Sequence, residues 1–416
     1  MITDGLSWWQ AWVCVWLGYG IVAPFIVLNA RPGAIQHITF PVVARTSFGL
    51  WGSLWCTFNR GAMACIWYGV QASIGGSCVL VMLRSMWPSV QNIRGCGTKY
   101  ACPAFVHRKS HRSTIAGIAF FVWSIVKAKV LSNHPSPAKL HGSELGWVMV
   151  KSLMSCISNM ATLVVNAPDF ASRAHRPSNA VMPQLISVPL GFSLVSFLGI
   201  IVSSSSEVIY GEPVWSPVDS LENSWTEIPV MRHDLDRRGG YIAAIVGLAM
   251  CPWQLLKDSN SFTSYLSAYS VFLSSIAGVM ITEYWLIRRG HYRIADLYHT
   301  ERTGWYWYTL GINPKAYVAY ISGILINVVG FAGPTVPLAA TRIYQMAFFT
   351  GFGVSSIIYY VLNRIWPSPG SWQTFEEVDE SGWHPVEEHR RDSEEEDSYS
   401  VKKQGDDAFV REVPVA

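Results

Sequence analysis

Trp67 and Gln71 stand one helical turn apart in the segment Asn59 to Met86, and together they have the chemistry to hold a flat heterocycle. An indole face stacks on a planar ring, and a carboxamide offers one donor and one acceptor to an imide edge. Both residues also have a plainer use in a membrane helix, the Trp as packing or an interfacial anchor and the Gln as a helix-to-helix hydrogen bond. Gly61, Cys65, Gly69 and Ser73 recur every four residues of this segment, a small-residue stripe expected to admit a close neighbouring helix. At about 100° per residue the Trp and the Gln fall on a face away from that stripe.

A second set of polar residues interrupts the apolar run Leu145 to Val165, where Ser155, Ser158, Asn159 and Thr162 replace the aliphatics of a plain span. Polar groups at that depth need partners, so they point to an unwound stretch lining a cavity. Asn159 with the backbone around Met160 to Thr162 is the expected second wall of a binding site. Lys151 is a charge in the same run, readable as a side chain snorkelling from a helix end or as a gating or proton-linked group. Asp169, in the NAPDF sequence at the end of the run, can cap a helix, pair with Arg173 or serve a gate. In Phe262 to Leu286, Ser270, Ser274 and Gly278 have the four-residue spacing of a packing face.

The basic stretch HRKSHR, His107 to Arg112, has no ordered metal-ligand spacing and reads as orientation charge, not as a nucleic-acid patch. No phosphate loop, zinc-protease motif, nucleophile elbow or dinucleotide fingerprint occurs, so no enzyme activity and no cofactor are expected.

Positioning such side chains requires helices in a bilayer. Half of the 416 residues are hydrophobic, 19 are Trp and only 14% are charged, a balance a water-soluble chain of this length seldom has. A span takes roughly 20 apolar residues, and about nine such runs occur: Leu6 to Leu28, Ser53 to Met86, Ile115 to Leu131, Leu145 to Val165, Val181 to Val202, Gly240 to Leu256, Tyr265 to Ile287, Ala316 to Phe331 and Tyr344 to Leu362. All are expected to be helices, since lipid offers no water to unpaired backbone groups and no barrel-type alternation is present. Residues 1–365 are thus read as the transmembrane domain and 366–416 as an acidic, disordered cytoplasmic tail, an end suited to trafficking partners. Cysteines are scattered, mostly inside spans, and read as buried small hydrophobes; only Cys96 and Cys102 sit together in a loop.

Three connectors are clearly basic: Arg31 with Arg45, Arg173 with Arg176, and Arg288, Arg289, Arg293 and Arg302. The positive-inside bias places each in the cytosol. Nine alternating spans satisfy the first connector and the C-terminus, yet they put Arg173 and Arg176 outside and the acidic Glu207 to Glu227 connector inside. One more crossing between Met86 and Ile115, and another between Val202 and Gly240, would correct both conflicts. The chain therefore reads as a longer transporter lacking internal spans.

The segment Asn29 to Gly49 (NARPGAIQHITFPVVARTSFG), Asn59 to Gly76 (NRGAMACIWYGVQASIGG), the NAPDF at Asn166 to Phe170, and the block Tyr241 to Leu286 closely resemble the nucleobase-cation-symport-1 family, in its fungal uracil and allantoin permease branch. The resemblance covers most of the chain. It implies an all-helical secondary transporter of two inverted five-helix repeats, here incomplete, with substrate bound between discontinuous helices at the membrane midplane. Laid against the family, the chain starts just before the second span, keeps only Ala104 to Thr114 of the fourth, and carries a polar insert, 222–238, in place of the eighth. By resemblance, Trp67 and Gln71 match the positions that hold the nucleobase, Leu145 to Val165 is the discontinuous sixth span, and Met160 stands where relatives place an aromatic. Ser264, Leu266 and Tyr269 match the outer gate. The implied function is proton-coupled uptake of uracil, allantoin or a related purine or pyrimidine at the plasma membrane, with sodium as the other coupling ion considered. The alternative is a truncated or mis-spliced remnant that transports nothing.

Overall fold

The structure, a computed structural model, describes residues 1–86, 141–210 and 259–377, apart from 3, 175, 300, 301, 303 and 332–335. It describes the backbone alone at 77–86, 179, 206–210, 259–264, 266 and 331. Within these bounds the chain forms α1 (Trp8–Gln36), α2 (Phe40–Phe48), α3 (Ser53–Met86), α4 (Gly142–Ala171), α5 (Pro177–Tyr210) and α6 (Ser259–Thr282). The last continues into a π-helical turn, Glu283–Ile287, and is followed by α7 (Ala295–Tyr298), α8 (Pro314–Phe331), α9 (Leu338–Gln345) and α10 (Ala347–Ile365). Stretches 8–36, 142–171, 180–205 and 267–287 are each long and apolar enough to cross a bilayer, and α9 with α10, bent by 82°, passes the same test as a pair. The apolar runs Ile115 to Leu131 and Gly240 to Leu256, the HRKSHR loop and the 222–238 insert lie outside the described residues.

Two groups of helices build the body. In the first, α1 runs parallel to α4 and antiparallel to α5. Close approach is set by glycine: a Cβ on Gly18 would meet the Cβ of Cys156 at 2.7 Å, and one on Gly33 would meet Pro168 Cα at 2.6 Å. Lipid receives the other face of α5, where Met182, Ile186, Leu190 and Leu194 recur every four residues and each is at least 50% exposed. In the second group, α6 and α10 run parallel in direct contact, with α8 antiparallel to both, packed through Ser274, Ser275, Gly278, Gly323 and Gly351. The expected packing face of α6 is thereby realised. Helices α4 and α6 join the two groups.

Several expectations change. The Asn29 to Gly49 segment is no open connector: α1 runs on through Pro32 to Gln36, the chain breaks at His37 in the left-handed region (φ 53°), and α2 follows at once. Along α3 the small-residue stripe makes no close contact at Gly61, where an added Cβ would have open space. The stretch expected to unwind, Asn159 to Thr162, is a continuous part of the 30-residue α4. Ser158 and Asn159 find partners on neighbouring helices, Ser270 and Tyr19, without any opening of the backbone.

Charge and topology now agree. His37 at the end of α1 lies 3.1 Å from the Ser172 carbonyl at the end of α4, so the Arg31/Arg45 and Arg173/Arg176 connectors share one end of the molecule. The third basic connector joins them, because Tyr308 donates to the Thr46 carbonyl at 2.6 Å. Strict alternation of nine spans is incompatible with that placement, as the charge count required.

Candidate functional site

Near the middle of α4, three helices converge on one hydroxyl. Tyr269 of α6 is buried and donates to the Ser158 carbonyl at 3.2 Å, while the Ser158 hydroxyl donates to that of Ser270 at 3.1 Å. The same phenol faces the Trp67 indole of α3 and the Thr162 hydroxyl of α4, the latter lying against it without ideal hydrogen-bond geometry. One turn toward the start of α6, Tyr265 stands with its ring centroid 5.6 Å from that of Tyr269, and its hydroxyl contacts Met63 Sδ at 3.6 Å. Met63 and Trp67, one turn apart, thus present one side of α3 to a pair of tyrosines.

The arrangement supplies a flat half-buried indole, two phenols and three small hydroxyls around a point roughly midway between the helix ends. Such a set suits an uncharged planar ligand: rings for its faces, hydroxyls for its polar edge.

Other expected residues are distributed differently. Asn159 points to Tyr19 of α1, which also contacts Ser196 of α5, so the Tyr19 hydroxyl joins three helices of the first group. Met160 is buried in the core at 5% exposure. Gln71 is exposed one turn beyond Trp67, and Leu266 is placed by its backbone alone on α6. Lys151 forms an ion pair with Asp4 at 3.5 Å, ahead of α1. Asp169 caps α2, accepting the Phe40 amide at 2.7 Å through Oδ1, and pairs through Oδ2 with Arg60 of α3 at 2.7 Å, not with Arg173. A single carboxylate at the end of α4 therefore ties down α2 and α3.

The family described as "Permease for cytosine/purines, uracil, thiamine, allantoin" matches residues 1–107, 104–231 and 236–351. The chain belongs to this permease family. An uncharacterized permease of Schizosaccharomyces pombe is similar to it at 38% identity, over 90% of this chain and 75% of that one. The allantoin permease of Saccharomyces cerevisiae is 33% identical over 91% and 72%, and its uracil permease 32% over 88% and 70%. The first of these alignments extends over 448 residues, more than the 416 of this chain, so relatives carry internal residues without counterpart here. Among solved structures, the inward-facing conformation of Mhp1 superimposes with a TM-score of 0.64 at 19% identity, over 92% of this chain and 90% of that one. This permease is therefore a multi-pass, all-helical membrane protein with the inverted-repeat secondary-transporter fold, and it is no enzyme.

Sequence reasoning missed the polar centre at the Arg-rich end of the permease. Glu283 and Arg288 are both fully buried and bonded through Arg288 Nε at 2.6 Å. Tyr359 donates to Glu283 Oε2 at 2.8 Å, Arg288 Nη2 donates to the Tyr308 hydroxyl at 2.9 Å, and the guanidinium lies 4.5 Å from the Tyr306 ring centroid. Asn313, at the start of α8, bridges the Ser47 carbonyl and the Tyr359 hydroxyl at 2.6 and 3.2 Å. Unlike charges five residues apart do not face each other on an α-helix, whose neighbours are three and four apart. The π-helical turn, Glu283–Ile287, supplies the register. Asn29 was equally hidden: Pro168 cannot donate to the Val164 carbonyl, and Asn29 Nδ2 donates to it instead at 2.7 Å.

Proposed function

We propose that this permease carries uracil, allantoin or a related purine or pyrimidine derivative across the plasma membrane by secondary active transport. What supports the reading is the meeting of Trp67, Tyr269 and Thr162 from three helices at mid-span, in a chain whose relatives include allantoin and uracil permeases. Mhp1 has also been solved, at 18% identity to this chain, in a closed conformation with bromovinylhydantoin bound, a ring of comparable chemistry. In this reading the substrate stacks on Trp67, is oriented by Gln71 beyond it, and is passed across as the α1/α4/α5 group rocks against the α6/α8/α10 group. Leu266 and Tyr269 gate the outer side. A proton gradient drives uptake, with sodium as the alternative, and Lys151 is the coupling candidate. In this reading the Arg-rich end, where α10 ends, faces the cytosol, and the acidic tail extends into it.

Uptake of radiolabelled uracil and allantoin by a permease-null yeast expressing the chain as written tests the proposal. Saturable uptake that Trp67→Ala abolishes and a protonophore suppresses is the expected result. Absence of uptake from a protein shown by a fluorescent tag to reach the cell surface would leave the remnant reading, which the relatives' additional internal residues favour.

A further inference from the structure

The chain leaving α10 does not run straight into water. Residues 366–377 fold back across the Arg-rich end, and their contacts are ordered along the sequence. Trp372 stacks on His291 with centroids 4.2 Å apart and planes 9° from parallel, and Phe375 stacks on Trp285 at 5.1 Å and 5°. Between the rings, the Trp372 amide donates to the Ile287 carbonyl at 3.2 Å and the Glu376 amide to the Arg289 carbonyl at 3.0 Å. These are carbonyls that a helix C-terminus leaves without intrahelical partners, so the segment finishes the end of α6.

Its last contact reaches the other helix group. Glu377 accepts from Arg31 Nε at 2.9 Å and Nη2 at 2.7 Å, a bidentate pair with the end of α1, and its Oε1 also accepts from Tyr284 at 2.9 Å. Both partners of the ion pair are mostly buried, at 20% and 14% exposure. The segment, continuous with α10, is thus anchored to the end of α6 by stacking and backbone bonds, and to α1 by one carboxylate. Beneath it Trp285 donates to the Leu28 carbonyl at 2.9 Å, so the two groups already touch at this point.

We propose that residues 366–377 are a latch: Glu377 holds α1 against α6, and the pair with Arg31 must break each time the cavity opens at the Arg-rich end. The inference rests on the transport reading, since it assumes that the two groups separate there. A bidentate pair of this burial is expected to shift the opening equilibrium about three- to tenfold.

A labelling assay tests this without requiring uptake. In a background where the native cysteines are replaced by Ser, a reporter Ser158→Cys is labelled with a thiol reagent from the Arg-rich side, in inside-out vesicles. Glu377→Ala and Arg31→Glu are each expected to raise the labelling rate three- to tenfold, and the exchange Arg31→Glu with Glu377→Arg to restore it. Trp372→Ala, which undocks the segment without touching the pair, is expected to match Glu377→Ala. Equal rates in all variants, or a rise that the exchange fails to reverse, would overturn the latch. Detergent-solubilised size exclusion of each variant separates a folding defect from a released latch. Loss of uptake with the labelling pattern intact would instead count against the transport reading alone.

Discussion

Removing the carboxylate of Glu283 should be among the most damaging single substitutions in this permease. The group is fully buried, holds Arg288 Nε at 2.6 Å and accepts the Tyr359 hydroxyl at 2.8 Å; the Tyr308 hydroxyl stands farther off at 3.5 Å. Glu283→Ala orphans two buried donors, at about 1–3 kcal/mol each. It also leaves Arg288 without a counter-charge, and breaking a buried pair from one side costs about 3–5 kcal/mol. These estimates overlap, so the loss expected is about 4 kcal/mol, a large part of the stability of a typical domain. Glu283→Gln keeps an acceptor for Tyr359 but not the charge, and should lose about half as much. Replacing both partners, as Glu283→Met with Arg288→Met, removes the uncompensated charge and should recover most of the loss. Thermal melting followed by size exclusion of a fluorescently tagged protein in detergent gives the ranking. If Glu283→Ala melted with the parent, or if the double variant were as unstable as the two singles summed, the centre would not be a buried charge pair of this kind.

Asn29→Ala should cost about 1–3 kcal/mol by stranding the Val164 carbonyl, and Pro168→Ala, which gives that carbonyl an amide partner again, should reduce the penalty in the same melting assay. Gly33→Ala should destabilise by about 1–3 kcal/mol, because its methyl group would lie 2.6 Å from Pro168 Cα and from the Pro168 carbonyl oxygen; Gly20→Ala, with open space at the same helix, serves as the neutral comparison. Burial pushes the phenols of Tyr292, Tyr306 and Tyr308 above their ordinary value of 10.0, the nearby Glu283 adding to the rise and Arg288 opposing it. Raised folded-state values mean that the contribution of these groups is fully present below pH 10 and is lost as pH climbs toward the folded values. Ultraviolet difference titration should accordingly show a late-ionising class of tyrosines, and melting temperature should hold to about pH 10 and fall beyond it.

Much of the architecture is legible in the sequence because lipid imposes one rule on every apolar run. The long helices α1, α4 and α5 and the packing face of α6 follow from it, and so does the shared end of the three basic connectors. The site is legible only in part. Trp67, Thr162 and Tyr269 do meet, yet Asn159 turns to Tyr19, and no periodicity distinguishes its face from that of Thr162, three positions on. The break at His37 and the π-helical register of Glu283 and Arg288 depend on contacts from α4, α8 and α10, which are distant in sequence. Hydropathy reports that a segment leaves water. It does not report which buried polar group answers which.

The polar contacts of the described residues divide unevenly along the molecule. At the Arg-rich end stand a fully buried ion pair, the Asp169 clasp on α2 and α3, Asn29 on α4, and Lys315 bonded to Asn363, the Trp366 carbonyl and Ser368 at 3.1, 2.7 and 2.6 Å. Asn29 fastens α1 to α4 and the Glu283 network fastens α6 to α8 and α10, each within one group, while Asp169 fastens α2 and α3 to α4. Bonds of that kind stiffen each group as a body. Direct polar contacts of α1 and α4 with the second group are fewer and individually modest: Ser158 with Tyr269 and Ser270 at mid-depth, Trp285 on Leu28, and Arg31 with Glu377. Helix α2 is bonded on both sides, to Asp169 of α4 and, through its Thr46 and Ser47 carbonyls, to Tyr308 and Asn313. Stiff bodies joined by weak, separable contacts are what rocking requires, since each costly bond is kept through the motion and only the cheap ones are exchanged. Tyr269 sits on that seam and touches Trp67, so in the proposed rocking the hydroxyl that would sense a ligand belongs to one of the contacts to be exchanged.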